Sequence, residues 1–217
     1  MIEEGCHLQA VNKPIIRIAE TEDLFKIAEL SDTYIVNPKQ HFLRLVLFPA
    51  NFFCGLMVVA KDDRGQIVGY SYALRALDPD QWYLGYIYVE ENARHSKVAK
   101  KMLLMIEKEL KKRGGRQVFA TVSPSNLFSM KLFLNGMGWR GYVFKRNYYG
   151  EGEHRIIVSK NLLEDSVVQQ QIIKSATFVK SSDYTKLARL LKANYRIIGA
   201  YKRANSVFLA LIYKEKS

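Results

Sequence analysis

One stretch of the chain, from Val89 to Leu103, combines a strand end, a short basic loop and a helix start. The residues before it, Trp82 to Val89, are aromatic and β-branched and predict a strand. Apolar residues then recur at helical spacing with lysines between them, at Val98, Met102, Ile106 and Leu110. The first N–H groups of a helix lack intrahelical partners, and together with the helix dipole they favour an anion. The pattern therefore predicts a phosphate site at the strand end.

The side chains of this loop favour the same chemistry. Arg94 and Lys97 are cationic, and His95 becomes cationic when it is protonated. Taken alone, the loop also fits an ordinary strand-to-helix turn with solvated charges, so the phosphate site depends on the rest of the chain.

Length and composition predict a soluble protein. A chain of 217 residues that is 48% apolar can bury one large core, or one core with an appendage. Cys6 and Cys54 lie far apart, which predicts neither a disulfide framework nor a zinc site. The first residues lack the features of a signal peptide, and the longest apolar run, Leu43 to Ala60, is interrupted by polar residues and proline. We expect a reduced, cytoplasmic protein without a membrane partner.

Positive charge is concentrated at the end of the chain. The formal net charge is +12, and residues 165–217 contain ten Lys and Arg residues against three Asp and Glu residues. An excess of this size favours polyanionic partners, so we expect nucleic acid or ribosome contact through the basic tail. Surface charge that serves solubility is the alternative explanation.

Periodicity and turn residues predict a mixed order of strands and helices. Strands are expected at Ile15–Ala19, Gly55–Ala60, Gln66–Leu77, Trp82–Val89, Val118–Val122, Trp139–Arg146 and His154–Lys160. Helices are expected to begin at Thr21, at Val98 and after a cap at Ser125 or Asn126. The order is β-α-(α)-β-β-β-α-β-α-β-β, with the bracketed helix in the aromatic segment Asp32–Phe53.

Over residues 14–162 this sequence resembles the GNAT superfamily of acyl-CoA-dependent N-acetyltransferases. Behind Val89, the residues Arg94, Val98 and Ala99 match the acetyl-CoA loop of that family, and Lys97 replaces a glycine of its pattern. A second family motif is similar to the segment Asn126 to Phe133 followed by Gly138-Trp139, with Phe133 or Leu134 where the family has a tyrosine. The segment from Asn147 to His154 is similar to a tyrosine-rich segment of the protein Nα-acetyltransferase branch.

The resemblance implies the GNAT fold, an α/β (α+β) architecture with a mixed, mostly antiparallel central sheet flanked by helices. It implies acetyl-CoA as the co-substrate, no metal, and an amine acceptor such as a protein N-terminus. In that fold the strand before the loop splays from its neighbour and leaves room for the pantetheine arm. The cofactor-binding residues implied are Tyr88, Val89, Arg94, His95, Ser96, Lys97, Val98, Ala99 and Asn126, and the substrate-binding residues are Tyr148 and Tyr149.

The catalytic residues are not fixed by the resemblance. The usual acid is replaced at Phe133 or Leu134, and a glutamate that relatives use as a base is replaced by Thr121. Tyr148, Tyr149 and Tyr88 are the catalytic candidates that we favour. Other hydroxyl or imidazole side chains stay open, namely Tyr70, Tyr72, Tyr86, His154, Ser123 and Ser125. The alternative to an enzyme is a GNAT-fold protein that is catalytically weakened and acts as an acyl-CoA-binding, regulatory, or RNA- or ribosome-binding module.

The chain beyond the GNAT-like part predicts a further βαββ unit. We expect residues 1–163 to form the GNAT domain and residues 164–217 to form a basic α/β extension. Strands are predicted at Thr177–Lys180, Tyr195–Lys202 and Ser206–Tyr213, with a helix that is capped by Ser182 or Asp183. The run Leu191–Arg203 is similar to Leu134–Arg146, which indicates a partial repeat of the second half of the GNAT domain. The extension could complete the sheet, pair in a homodimer or present its basic residues to an acidic partner, and the first of these is favoured because its apolar face must be buried.

Overall fold

The computed structural model describes residues 14–34, 55–164 and 175–214. Its strands are β1 (Ile15–Ile18), β2 (Gly55–Lys61), β3 (Ile67–Arg75), β4 (Gln81–Val89), β5 (Gln117–Val122), β6 (Arg140–Lys145), β7 (Arg155–Asn161), β8 (Thr177–Lys180), β9 (Tyr195–Arg203) and β10 (Ser206–Tyr213). Its α-helices are α1 (Asp23–Tyr34), α2 (Val98–Lys112), α3 (Leu127–Met130) and α4 (Tyr184–Lys192). Their order follows the order expected from periodicity, and most boundaries differ by one or two residues.

Two predicted segments differ in local structure. The basic loop after β4 is a 3-10 helix over Glu91–Ser96, and α3 continues as a π-helical turn over Lys131–Gly136. Short helical segments of these two types leave a weaker periodic signal than an α-helix does. Most of the aromatic segment Asp32–Phe53, with the helix predicted in it, lies outside the described residues, as do Cys6 and Cys54.

The described residues divide into two compact units. Those up to Arg75, together with Leu84–Arg113, form the first unit, and Ala76–Tyr83, together with those from Gly114, form the second. In the part of the chain that the structure describes, each helix is too short or too polar to cross a bilayer.

In the first unit, β1, β2 and β3 form an antiparallel meander and β4 lies beside β3. Residues 55–60 of β2 are buried without a break, so both faces of this strand are covered. Helix α2 packs on this sheet through one apolar stripe, and its buried residues include Met102, Leu103, Ile106 and Leu110. A second cluster of buried side chains joins α1 to the sheet, with Ile27, Met57, Val59, Tyr70 and Tyr88 among its members.

A buried carboxylate fixes the start of α1. Asp23 is only 1% exposed, and its oxygens lie 2.8 Å from Arg17 Nη1 and 2.9 Å from Lys61 Nζ. The Glu20 N–H donates to Asp23 Oδ2 over 2.8 Å. Burial by itself raises the pKa of Asp23, but the hydrogen bonds from Glu20, Lys61 and Arg17 outweigh it and hold that pKa below its ordinary value. This network stabilises the junction of β1, α1 and β2.

In the second unit, the first residues of β4 pair in parallel with β5, and the neighbours that follow are β7, β6, β9, β10 and β8. The parallel register joins Gln81 to Gln117, Trp82 to Val118 and Tyr83 to Phe119, whereas β4 continues to Val89 and β5 to Val122. The other ladders of this unit are antiparallel.

The last four elements repeat the topology of the four before them. Strand β5 precedes α3 and pairs with β7, which pairs with β6; in the same way β8 precedes α4 and pairs with β10, which pairs with β9. Both helices begin at a capping side chain, since Asn126 accepts from the Ser129 N–H and Asp183 accepts from the Lys186 N–H. The two sets of strands meet where β6 pairs with β9, at Gly141 and Ile197. The partial repeat inferred from the sequence stays a prediction.

Replacing Gly141 by alanine should destabilise the protein. A Cβ at Gly141 would lie 2.9 Å from Ile197 Cβ and 3.2 Å from Ile156 Cγ2, so packed side chains must move to accept it. We expect Gly141→Ala to lower the free energy of unfolding by about 1–3 kcal/mol in urea titrations followed by circular dichroism.

Gly136→Ala is the matched control, because the atom nearest to its Cβ would be the Lys131 carbonyl oxygen at 3.6 Å, an ordinary contact. An equal effect of the two substitutions would contradict the close packing of β6 against β9.

Candidate active site

The strand end and the helix start are joined by a compact backbone path in the first unit. The 3-10 helix Glu91–Ser96 follows β4, and Lys97 then turns the chain into α2 with φ 59° and ψ 23°. The first hydrogen bond of α2 runs from the Lys101 N–H to the Lys97 carbonyl oxygen, over 3.0 Å. The N–H groups of the first turn, from Val98 to Lys100, therefore precede the helical ladder and can donate to an anion.

Lys97 occupies a left-handed conformation that favours glycine. A residue with a Cβ carries a cost of about 1–2 kcal/mol in this region. The side chain of Lys97 is exposed and makes no capping hydrogen bond. The lysine that replaces the family glycine therefore keeps the backbone turn, and it adds an ammonium group at the start of α2.

Side chains of the loop form hydrogen bonds and an ion pair with the strand end and with other residues of the loop. Arg94 Nε donates to the Val89 carbonyl oxygen over 3.3 Å, and Arg94 Nη1 lies 3.9 Å from the Glu91 carboxylate. Ser96 Oγ donates to the Ala93 carbonyl oxygen over 2.7 Å. His95 lies within the 3-10 helix.

A carboxyl group beside the loop carries a shifted pKa. Burial raises the pKa of Glu90 above its ordinary value, the charge of Asp62 acts in the same direction, and a hydrogen bond with the Asn92 side chain opposes both. The Glu90 N–H donates to the Val68 carbonyl oxygen over 2.8 Å, which ties the strand end to β3. Glu90 belongs to none of the motifs that marked this loop in the sequence.

Tyr88 lies in an aromatic cluster of the first unit. It is 8% exposed, and its ring centroid is 5.5 Å from that of Tyr70, which is itself 5.8 Å from Tyr86. The ring of Tyr72 packs against Gly85, where an added Cβ would lie 2.1 Å from it. Four of the tyrosines considered from the sequence as catalytic candidates therefore pack together in this sheet, namely Tyr70, Tyr72, Tyr86 and Tyr88.

Three hydroxyl groups converge in the second unit. Thr121 Oγ1 lies 3.1 Å from the Tyr149 hydroxyl and 3.4 Å from the Tyr83 hydroxyl, and the two phenol oxygens are 3.2 Å apart. We call Tyr83, Thr121 and Tyr149 the hydroxyl cluster. Each hydroxyl can donate one hydrogen bond and accept others, so the cluster can pass a proton along a chain of oxygens.

Strand register places Tyr83 beside Thr121, and a cation packs on the ring of Tyr149. Tyr83 pairs with Phe119 across β4 and β5, and Thr121 lies two residues further along β5, on the same face. Tyr149 reaches this face from the turn after β6. The Arg155 guanidinium lies 4.9 Å from the centroid of the Tyr149 ring, and its Nη2 lies 2.6 Å from the Glu153 carboxylate.

The turn that carries Tyr148 and Tyr149 is closed by its own hydrogen bonds. The Asn147 N–H donates to His154 Nδ1 over 3.1 Å, and the Gly152 N–H donates to Asn147 Oδ1 over 3.1 Å. The two tyrosine rings meet edge to face at 4.7 Å, and Tyr149 is 58% exposed. His154 also packs edge to face on Tyr184 of α4. These contacts give His154 the role of anchoring the turn.

The remaining predicted residues of the second unit have structural contacts. Asn126 caps α3 through its Oδ1, and Ser123 Oγ lies 2.8 Å from Ser125 Oγ. Phe133 and Leu134, which stand where the family tyrosine is expected, are buried, and the Phe133 ring is 4.7 Å from that of Trp139. Among the described residues, no group of three or more His, Cys, Asp or Glu side chains could hold a metal ion.

A model of the Acetyltransferase (GNAT) family matches residues 21–139, which is more than half of the chain. The chain belongs to the GNAT acetyltransferase family. The fold class predicted from the sequence, a mixed sheet flanked by helices, is thereby confirmed.

Solved structures share this GNAT fold. The NatC complex bound to Gag peptide and CoA is 14% identical over 69% of this chain and 99% of that chain, with a TM-score of 0.60. The ribosomal-protein-S18-alanine N-acetyltransferase from Escherichia coli is 20% identical over 72% and 99%, with a TM-score of 0.58. A GNAT phosphinothricin acetyltransferase from Sinorhizobium meliloti, solved with acetyl-CoA, is 20% identical over 73% and 93%, with a TM-score of 0.58.

Two residues of the site were not predicted from the sequence. Tyr83 joins the hydroxyl cluster and Arg155 packs on Tyr149, but neither belongs to a motif. The register of β4 against β5 decides which residue of β4 faces Thr121, and the sequence alone does not fix that register. Of the cluster residues, Tyr149 was a candidate from the sequence, whereas Thr121 was noted only as the replacement of a glutamate that relatives use as a base.

Substitutions of Lys97 distinguish the effect of its backbone conformation on stability from the effect of its side chain. Glycine adopts the left-handed turn without the Cβ clash, so we expect Lys97→Gly to raise the free energy of unfolding by about 0.5–1 kcal/mol in urea titrations. Lys97→Ala keeps a Cβ and should leave this free energy within about 0.5 kcal/mol of the wild-type value. A destabilised Lys97→Gly protein would contradict the strained turn.

Proposed function

We propose that this GNAT protein transfers the acetyl group of acetyl-CoA to an amine, and that the amine is the α-amino group of a protein N-terminus. The observation that carries the proposal is the hydroxyl cluster. Tyr149 is a candidate from the sequence, and Thr121 stands where relatives of the protein Nα-acetyltransferase branch have a glutamate; their oxygens lie 3.1 Å apart. This contact, shared with Tyr83, supports a functional role for the position of that glutamate and for the tyrosine-rich segment.

The loop of the first unit supports acetyl-CoA as the co-substrate. The N–H groups at the start of α2 and the Lys97 ammonium would bind the pyrophosphate, because both favour an anion at that point. Tyr88 and Val89 lie on the strand that leads into this loop, and Arg94 closes the strand end. Arg94, His95, Ser96, Val98, Ala99 and Asn126 complete the proposed binding residues.

The reaction forms one bond and breaks one bond. The amine nitrogen attacks the thioester carbonyl carbon, the new C–N bond forms, and the C–S bond breaks to release CoA. The nitrogen loses a proton, and the departing sulfur gains one. We assign the first transfer to the hydroxyl cluster, where one oxygen accepts a proton as another donates one towards solvent through the exposed Tyr149.

The chemistry of the cluster favours an α-amine over lysine. Neutral hydroxyls are weak bases, so the acceptor must arrive largely as the free amine. With ordinary pKa values of about 7.8 for an α-amine and about 10.4 for lysine, roughly a third of α-amines but only about 0.1% of lysines are neutral at pH 7.5. The Escherichia coli enzyme is named for an alanine, which has no side-chain amine, and the NatC complex is bound to a peptide; both support this choice. The exposed pair Tyr148 and Tyr149 supplies contact surface for a peptide.

The test is a peptide assay that follows both CoA release and product mass. A peptide with a free N-terminus and no lysine should be acetylated, whereas an Nα-blocked peptide with one lysine should react at least tenfold more slowly. The rate on the first peptide should rise between pH 6.5 and 8 as its α-amine loses its proton. Thr121→Val should lower kcat by about tenfold or more, because it removes one of the three hydroxyls that take part in the proton transfer while keeping the side-chain volume.

Thr121→Ser is the matched control, since it keeps the hydroxyl group, and it should retain most of the activity. Equal rates on both peptides would contradict the α-amine assignment. Full activity of Thr121→Val would contradict the role of the cluster. Acetyl-CoA binding without any transfer to either peptide would favour the catalytically weakened module instead.

A further inference from the structure

One face of the extension sheet carries aromatic and basic side chains. Along β8, β9 and β10 the residues alternate between two faces. Val179, Ala200 and Leu209 are register partners on one face and are at most 2% exposed. The opposite face carries Phe178, Lys180, Tyr201, Arg203 and Phe208, and we call these five residues the arginine–aromatic surface.

The aromatic rings of this surface lie over small residues. Phe178 and Gly199 are both register partners of Ala210 on the central strand β10. A Cβ at Gly199 would lie 2.8 Å from the Tyr201 ring, so the glycine allows that ring to lie against the backbone. The Phe178 and Tyr201 rings are 5.8 Å apart, edge to face. The result is a shallow apolar platform of half-buried rings.

Two cationic side chains, Arg203 and Lys180, lie beside the rings of this platform. The Arg203 guanidinium lies 4.6 Å from the Phe178 ring centroid and 5.8 Å from that of Phe208, and Lys180 is the register partner of Phe208. Arg203 and Lys180 are exposed. Residues 175–214 contain eight Lys and Arg residues and one acidic residue, Asp183, whose carboxylate is engaged in capping α4.

These features match the chemistry of single-stranded nucleic acid. Unpaired bases stack on aromatic rings and on arginine planes, and their phosphates pair with neighbouring cations. A duplex hides its base faces, and an acidic protein segment would use the cations but leave the rings unmatched. We propose that the arginine–aromatic surface binds single-stranded RNA or DNA, with bases on the rings of Phe178, Tyr201 and Phe208 and with phosphates on Arg203 and Lys180.

Fluorescence anisotropy on the full-length protein tests this proposal, with a labelled 15-nucleotide single-stranded RNA, the same sequence as DNA, and an RNA duplex as probes. We expect both single strands to bind more tightly than the duplex. Phe178→Leu should weaken single-strand binding about fivefold or more, because it removes a stacking face but keeps an apolar side chain. Arg203→Glu should weaken it further and lower the salt dependence of binding.

The matched controls lie away from the surface. Phe128→Leu removes a ring that is 89% exposed on α3, and Lys192→Glu makes the corresponding charge reversal on α4. Both should stay within about twofold of the wild-type affinity. An equal loss in Arg203→Glu and Lys192→Glu, tighter binding of the duplex, or the absence of binding would overturn the proposal.

Photo-crosslinking of the wild-type protein gives a readout that does not depend on how the variants fold. Bases stacked on aromatic rings should crosslink under ultraviolet light to the β8, β9 and β10 peptides that contain Phe178, Tyr201 and Phe208. Crosslinks confined to residues outside these strands would also overturn the proposal.

Discussion

The left-handed backbone of Lys97 is the constraint on which the strand-to-helix junction depends. With φ at 59°, this single residue ends the 3-10 helix and begins α2, so that the first-turn N–H groups of α2 precede the helical ladder. A lysine accepts this conformation at a cost of about 1–2 kcal/mol and supplies a cation where the family pattern has a glycine. The backbone turn before the proposed anion site is thus kept even though its motif residue has changed.

In the second unit, too, residues of the family pattern are replaced, and the replacements affect the proposed chemistry. Thr121 stands where relatives use a carboxylate, and Phe133 and Leu134 are buried apolar side chains where the family has a tyrosine. The hydroxyl groups that remain, on Tyr83, Thr121 and Tyr149, are neutral, and they can move a proton but hold it weakly. A site of this kind depends on an acceptor that readily becomes neutral, which links the proposed chemistry to the proposed substrate.

Much of the fold could be predicted from the sequence because local signals agree with the tertiary structure. Hydrophobic periodicity located α2, and capping residues located the helices after Asn126 and Asp183. The hydroxyl cluster required the register of β4 against β5, and the contact of Arg155 with Tyr149 required the shape of a turn, so neither was predictable from spacing. The division at residues 163 and 164, the cytoplasmic location and the homodimer stay predictions.

Calorimetric titration of acetyl-CoA into charge-reversal variants tests the central claim most directly, because the claim assigns one phosphate site to one cation. Lys97 and Lys108 are both exposed and differ in their distance from the start of α2. Lys97→Glu should weaken acetyl-CoA binding about five- to tenfold, whereas Lys108→Glu should leave it unchanged. Unchanged affinity in Lys97→Glu would contradict the assignment of this loop as the acetyl-CoA site.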